Sequence, residues 1–265
     1  MNATIQKKLT ETYLSALLGS QKGRVHLLNQ CAEAEASDEG QIFEVLATRV
    51  GDPELQRMVR KHQEDELRHA EMFRACVVRN GGTPHSVPAE LQLIDRLDKA
   101  LGGVMALGIA DDRGVMEAYV LLQVIEERAI TQFQMFEPHL RKVDPQSADV
   151  FAAIAKDEER HLRYCHAISK RYAPSEAVRE WTLRRYREVE AKAFAANSAA
   201  NMRYSLTHGL LDANAVERLG WWGVLALTEI TGRDERTVYW EEPAPKTATV
   251  RRSVVDDVIV PAASL

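Results

Sequence analysis

The pentapeptide Asp-Glu-x-Arg-His occurs twice in the chain, at 65–69 and at 157–161. Each copy places a glutamate three residues before a histidine, as in Glu66 and His69. On an α-helix this spacing puts both side chains on one face. A carboxylate and an imidazole on one face can bind a divalent metal ion. Two copies therefore predict two metal ions.

Both glutamate–histidine pairs interrupt an apolar helical stripe. Val59 and Phe73 flank the first pair at helical spacing, and Ile154 and Cys165 flank the second pair. Carboxylates on a stripe that faces the core lose their water, which is costly unless each one meets a cation or strong hydrogen-bond donors. A bound metal ion would supply the cation.

The surroundings of the pentapeptide are repeated as well. A Gln-x-Phe-Glu segment occurs at 41–44 and at 134–137, and an Asp-Pro turn follows it at 52–53 and at 144–145. Each half of the repeat therefore predicts one antiparallel helix hairpin, which contributes a glutamate from its first helix and the Glu/His pair from its second.

The turn position indicates which glutamate the first helix contributes. In an antiparallel hairpin, residues at one level are equally far from the turn. This pairs Glu33 with Glu66 and Glu126 with Glu158. Glu35 is an alternative to Glu33, because it lies on a more apolar stripe. The matched repeat favours Glu33.

The predicted ligands are therefore four glutamates and two histidines: Glu33, Glu66, His69, Glu126, Glu158 and His161. Their four negative charges would be neutralised by two divalent cations. Hard oxygen and borderline nitrogen ligands suit two iron ions, and also manganese or one ion of each.

Charged residues within each pentapeptide could orient the histidines. Asp65 lies four residues before His69, and Asp157 lies four residues before His161. Each aspartate could accept the proton of the ring nitrogen that faces away from the metal. The arginines available to pair with these aspartates are Arg68 and Arg160.

Three further residues have two interpretations each. His26 and Tyr119 occupy equivalent places two turns before the first-helix glutamates. His26 could be an extra metal ligand and Tyr119 a redox-active tyrosine. We favour the interpretation that both are ordinary core residues. His62, one turn before Glu66, is either a seventh ligand or, as we favour, a hydrogen-bond donor to a ligand.

Helix-starting and helix-ending residues predict the elements that position these side chains. The predicted helices cover 5–18, 24–50, 53–80, 89–101, 114–140, 145–173, 175–210 and 214–230. The chain then divides into an N-terminal helix (1–23), the two hairpins with their long crossover (24–172), a C-terminal helical extension (173–231) and an extended tail (232–265).

The order of the predicted ligands resembles the ligand pattern of the ferritin-like di-iron carboxylate proteins. In both, a glutamate and a Glu-x-x-His are followed by a crossover and then by a second glutamate and a second Glu-x-x-His. These include bacterioferritin, rubrerythrin and the bacterial multicomponent monooxygenases. The Asp and Arg of the pentapeptide most resemble the hydroxylase subunits of methane and toluene monooxygenases. The resemblance covers about 24–172. It implies an all-α fold: a ferritin-like four-helix bundle of two antiparallel hairpins joined by a long crossover, with extra N- and C-terminal helices.

The resemblance implies that the six ligands hold two irons in a di-iron oxidoreductase that activates dioxygen or peroxide. We expect an oxidase or oxygenase that acts on a small organic substrate and takes electrons from an external donor. The first half has Ser37 and Gly40 where the second half has Ile130 and Phe133. The smaller side chains of the first half would leave space beside one iron, which could hold a substrate or let another helix approach closely.

Two other functions stay open. One is ferroxidase or peroxide-scavenging chemistry, as in bacterioferritin or rubrerythrin. The chain lacks the Cys-x-x-Cys pairs of a rubredoxin-type electron relay, which speaks against this function. The other is a non-catalytic helical binding protein that metal ions stabilise.

Composition narrows the expected partners. A net charge of −5 with mixed signs predicts neither a nucleic-acid nor a membrane partner. Without a secretory signal pattern, we expect a cytoplasmic protein whose three cysteines are core residues. The C-terminal helices would cover the bundle or form a homodimer interface, and the apolar segment 253–260 would be a docking peptide or a loose tail.

Overall fold

The computed structural model describes residues 3–36, 39–105 and 109–231, and every regular element in these residues is helical. A single 3₁₀ turn covers Ala89–Leu91. The α-helices described are α1 (Ala3–Gly19), α2 (Gln21–Ala36), α3 (Glu39–Arg49), α4 (Pro53–Arg79), α5 (Leu93–Ala100), α6 (Asp112–Val143), α7 (Pro145–Tyr172), α8 (Glu176–Thr207) and α9 (Ala215–Thr231). The prediction of an all-α fold is confirmed for the described residues.

The two Asp-Pro turns begin α4 and α7. The side chain of Asp52 accepts hydrogen bonds from the backbone N–H groups of Glu54 and Leu55, at 2.8 and 3.3 Å. Asp144 accepts one from the backbone N–H of Ser147 at 3.1 Å. Each aspartate thereby satisfies an otherwise unpaired amide of the first turn, and the proline that follows it needs no partner.

Some helix boundaries differ from the prediction. The helix predicted over 24–50 is described as α2 and α3, and residues 37 and 38 between them lie outside the described residues. α6 begins two residues earlier than predicted, because Asp111 caps it by accepting a hydrogen bond from Gly114 N at 2.8 Å. The predictions for Ser37 and for the tail 232–265 fall outside the described residues, so they stay predictions.

α4 packs against α2, α3 and α7. α2 runs antiparallel to it: Arg24 Nε donates to Asn80 Oδ1 at 3.0 Å, just beyond the end of α4. α7 is antiparallel to α4 as well, since Asn80 Nδ2 donates to Asp144 Oδ2 at 2.7 Å while the rings of Phe73 and Phe151 lie 5.0 Å apart. α6 packs along α7.

Two apolar clusters lie at different heights of this packed region. One is formed by residues of α1, α2, α4, α6 and α7 and includes Phe73, Phe133 and Phe151. The other includes Phe43, Val59 and Tyr119. Along α4 and α7, the residues of the two pentapeptides fall between these clusters. Any polar centre at this height is therefore closed to water at both ends.

The C-terminal helices pack over the outside of this region. α8 crosses from α6 to α2: Arg128 forms a bidentate pair with Glu190 at 2.7 and 2.8 Å, and the ring of His26 stacks on Tyr204. α9 packs against α1 through Trp221. Among the described residues, no helix combines the length and apolarity that crossing a bilayer would require.

All three cysteines are free and buried: Cys31, Cys76 and Cys165. Burial raises the pKa of the Cys31 thiol to about 12, and the neighbouring Cys76 adds to this rise. The prediction that these residues are core side chains rather than disulfide partners is confirmed.

Candidate metal centre

Histidine and glutamate side chains of α2, α4, α6 and α7 meet at the height between the two apolar clusters. They form two groups, and within each group the possible ligand atoms all lie within 4.8 Å of one another. The histidine-rich group is His62, Glu66, Glu126 and His161. The glutamate-rich group is Glu35, Glu66, His69 and Glu158. Every member is buried. Either group could bind a metal ion.

The histidine-rich group is compact. His62 Nε2 lies 2.8 Å from Glu126 Oε1 and 3.3 Å from Glu66 Oε1. His161 Nδ1 lies 3.0 Å from the same oxygen of Glu66. Metal–ligand bonds of about 2.1 Å that meet at right angles separate neighbouring ligand atoms by about 3.0 Å. The spacing therefore suits one divalent ion.

The glutamate-rich group is slightly wider. His69 Nδ1 lies 3.1 Å from Glu158 Oε1, 3.4 Å from Glu35 Oε2 and 4.0 Å from Glu66 Oε2. The three glutamates come from three different helices, α2, α4 and α7. This convergence of buried carboxylates needs a compensating positive charge.

Two carboxylates span both groups. Glu66 directs Oε1 to the histidine-rich group and Oε2 to His69. Glu158 lies with Oε2 2.7 Å from His161 Nδ1 and with Oε1 3.1 Å from His69 Nδ1. The two groups thus form one centre: Glu66 is a member of both groups, and Glu158, a member of the glutamate-rich group, also contacts His161 of the other group.

Buried polar atoms in this centre lack hydrogen-bond partners within the described part of the chain. They include Glu66 Oε1, Glu158 Oε1 and His69 Nδ1. Leaving such an atom unsatisfied costs about 1–3 kcal/mol. Two of them, His69 Nδ1 and Glu158 Oε1, lie 3.1 Å apart, and the third, Glu66 Oε1, lies 3.0 Å from His161 Nδ1. A cation between such atoms would satisfy their lone pairs. The residues fit a pair of divalent metal ions.

The carboxylates of the centre differ in pKa. Burial and the negative charges of Glu126 and Glu66 together raise the pKa of Glu158 to about 7, although contacts with His161 and His69 act in the opposite direction. Burial also acts on Glu126, but contacts with His161 and His62 outweigh it and hold its pKa at about 2. The pKa values of all three imidazoles are raised by neighbouring carboxylates, against the effect of burial. Metal ions would take over the charge compensation that the imidazolium protons provide.

Each aspartate of the pentapeptides contacts the histidine of the other copy. His69 Nε2 lies 3.3 Å from Asp157 Oδ2, and His161 Nε2 lies 3.6 Å from Asp65 Oδ2. The predicted pairing within each helix was wrong. Because α4 and α7 are antiparallel, the aspartate of one helix is level with the histidine of the other.

The arginines of the pentapeptides close this arrangement into a ring of four charges. Arg68 Nη2 donates to Asp65 at 2.8 Å and to Asp157 at 2.6 Å. Arg160 donates to Asp157 and to Asp65, both at 2.8 Å. Burial tends to raise the pKa of Asp65, but hydrogen bonds from Arg68, Lys61 and Arg160 hold it well below its ordinary value. The ring ties α4 to α7, and its Asp157 lies within hydrogen-bond distance of His69, at 3.3 Å.

The preference for Glu33 was wrong. The structure places Glu35 in the glutamate-rich group, whereas Glu33 is partly exposed and belongs to neither group. Glu35 continues the buried stripe of Leu28 and Cys31 on α2. Periodic burial along α2 therefore locates the glutamate better than alignment of the two repeats.

His62 belongs to the histidine-rich group. The structure therefore places it as a possible metal ligand, which was the less favoured of its two predicted roles. Its place on the stripe of Leu55 and Val59 was the available signal. His26 and Tyr119 belong to neither group. Both are buried, and Tyr119 lies in the apolar cluster with Phe43. The structure thus agrees with the interpretation of these two as core residues.

Replacement of Asp157 by asparagine should weaken metal binding by about 10- to 100-fold, because an outer carboxylate that orients a histidine ligand contributes that much. The effect should fall on the glutamate-rich group, since Asp157 lies within hydrogen-bond distance of His69 at 3.3 Å. Competition with a metal-binding dye measures the affinity. Glu71→Gln, at an exposed position of α4, is the control. Equal affinity in Asp157→Asn and this control would contradict the orienting role.

The buried His26 should make stability depend on pH. Burial lowers its pKa from 6.5 to about 4, and the charges of His85 and His208 act in the same direction. The unfolded chain therefore binds a proton at His26 more tightly than the folded chain does. The contribution of the neutral His26 to stability is present above pH 6.5 and is lost as the pH falls towards 4. The loss is about 2 kcal/mol at pH 5.

Denaturant unfolding at pH 8 and at pH 5 measures this loss. His26→Phe, which keeps a ring against Tyr204, should reduce the difference between the two pH values by about 2 kcal/mol. An unchanged difference would show that other groups cause the acid sensitivity.

Comparisons of the chain with family models, with curated proteins and with solved structures found no match.

Proposed function

We propose that this chain is a di-iron carboxylate oxidoreductase whose helices α2 with α3, α4, α6 and α7 form a ferritin-like four-helix bundle. The observation that supports this best is the pair of buried ligand groups joined by Glu66 and Glu158. Shared carboxylates hold two ions close together, which allows both ions to act on one small molecule.

The donor set favours iron. Four glutamates and three histidines offer hard oxygens and borderline nitrogens, whereas all the cysteines lie outside both groups. Such ligands suit iron and manganese better than metals that prefer sulfur. The four carboxylates would carry four negative charges, which two divalent ions balance.

When bound to these residues, two reduced iron ions would supply the electrons for the reduction of dioxygen or peroxide. The protein's own contributions are shielding and orientation. The apolar clusters around Phe73 and Phe43 exclude water from both ends of the centre. Asp65 and Asp157 hold the two histidine rings from the side that faces away from the metals. Glu66 and Glu158 set the separation of the two positions.

The proposed reaction is oxidation of a small organic substrate, with electrons from an external donor. The ring of two aspartates and two arginines, which resembles the pentapeptide environment of monooxygenase hydroxylases, supports this choice over iron storage. Ferroxidase or peroxide-scavenging activity and a purely structural metal pair are the alternatives.

Anaerobic loading with Fe(II), followed by exposure to dioxygen, tests the metal assignment. We expect about two irons per chain and the growth of ferric absorbance when oxygen is admitted. The control is Glu64→Gln, because Glu64 is an exposed glutamate of α4. Failure to bind iron, or bound Fe(II) that stays reduced in oxygen, would overturn the proposal.

Turnover distinguishes the reactions. Oxygen consumption that requires a reductant and an added organic substrate supports the oxygenase. Consumption that depends only on the Fe(II) supplied, at a fixed ratio of iron to oxygen, supports ferroxidase activity. If the iron-loaded protein oxidises neither an organic substrate nor excess Fe(II), the result supports a structural metal pair.

A further inference from the structure

The two ligand groups are chemically unequal. The histidine-rich group contains two imidazoles, His62 and His161, whereas the glutamate-rich group contains one, His69. The glutamate-rich group has three carboxylates and the other has two. The inequality arises because His62 occupies the place that Ile154 occupies in the second half of the repeat.

His62 is held firmly in its group. Its side chain is 1% exposed, and its ring lies 4.6 Å from Phe43 and 3.9 Å from His161. Nε2 is the atom that lies 2.8 Å from Glu126 and 3.3 Å from Glu66. The packing of these rings directs Nε2 of His62 towards the carboxylates of the histidine-rich group.

Imidazole-rich sites favour ions such as Zn²⁺ and Fe²⁺, and carboxylate-rich sites favour Mn²⁺. We infer that the two metal positions differ in affinity and selectivity. The histidine-rich position fills first and selects an imidazole-preferring ion, while the glutamate-rich position fills second and accepts Mn²⁺. This inference rests on the proposed metal pair, but not on its reaction with oxygen.

The spacing of the ligands agrees with the order of filling. The imidazole–carboxylate contacts within the histidine-rich group run from 2.8 to 3.7 Å. Those within the glutamate-rich group are slightly longer, from 3.1 to 4.0 Å around His69. A preformed site requires less rearrangement on binding, so the tighter group should bind the first ion more strongly.

Reciprocal variants test the inference. His62→Ile introduces the residue found in the other half of the repeat and should weaken binding of the first Zn²⁺ at least about 10-fold. Glu35→Gln removes a carboxylate from the glutamate-rich group and should leave the first Zn²⁺ unchanged while weakening the second ion. Calorimetric titration of the metal-free full-length protein gives both constants, and circular dichroism checks that each variant keeps its helices.

Crystals of the wild-type chain supplied with one equivalent each of Zn²⁺ and Mn²⁺ give a direct readout by anomalous scattering. We expect zinc beside His62 and manganese beside Glu35. Mixed occupancy at both positions, or an unchanged first binding constant in His62→Ile, would overturn the inference. Either result would leave the proposed function standing, because that depends on two bound irons and their reaction with oxygen.

Discussion

Replacement of Glu66 by alanine should abolish binding of both metal ions. Glu66 directs one carboxylate oxygen to each ligand group, so its loss removes a ligand from both positions at once. It also removes negative charge that two divalent cations need as compensation. We expect each affinity to fall at least about 100-fold, or about 3 kcal/mol. The metal content after gel filtration should fall from about two ions per chain to nearly none.

Elemental analysis of the purified protein measures this loss. Glu126→Ala serves as a comparison, since Glu126 belongs to the histidine-rich group alone, and it should keep about one ion per chain. Glu64→Gln, two residues before Glu66 and exposed, should keep both. Glu66→Gln, which preserves the side-chain volume, guards against misfolding of the alanine variant. Loss of a single ion in both Glu66 variants would contradict the shared role of this carboxylate.

Removal of metal from the wild-type chain should lower its melting temperature by about 15 to 30 °C. A ligand present at about 1,000 times its dissociation constant stabilises the folded state by about 4 kcal/mol. Two such sites give about 8 kcal/mol, and 1 kcal/mol corresponds to about 2–4 °C for a chain of this size. The physical cause is the concentration of buried carboxylates, which the metal ions compensate.

Thermal unfolding with and without a chelator measures this difference. The Glu66→Ala variant should show almost no difference between the two conditions, because it has no tightly bound metal to lose. A wild-type shift of only a few degrees would indicate that the imidazolium charges of His62, His69 and His161 already compensate the acids. The metal would then contribute little to the stability of the fold.

The two ligand groups are also connected through the charged residues of the pentapeptides. Asp65 and Asp157 each contact the histidine of the opposite helix, and Arg68 and Arg160 bridge both aspartates. The two metal positions therefore share their supports as well as their carboxylates.

Local spacing along the sequence determined the helical character of the chain and the faces of its helices. The three-residue spacing of Glu66 and His69 puts both on one face of any helix, whatever surrounds it. The Asp-Pro turns mark the starts of α4 and α7 because capping depends on only a few adjacent residues. The repeated pentapeptide and its apolar flanks predicted that the two faces could bind metal, and the structure brings those faces together in two groups that could hold metal ions.

Only the tertiary structure decided which side chains meet. The apolar stripe of α2 offered Glu35 as an alternative to Glu33, but only the packing of α2 against α4 decided between them. His62 lies on the buried stripe of α4, and it joins the centre because α6 brings Glu126 within 2.8 Å of it. The aspartates contact the opposite histidines because α4 and α7 are antiparallel at that height. Each of these outcomes depends on the relative position of two helices, which the residue pattern of one helix does not determine.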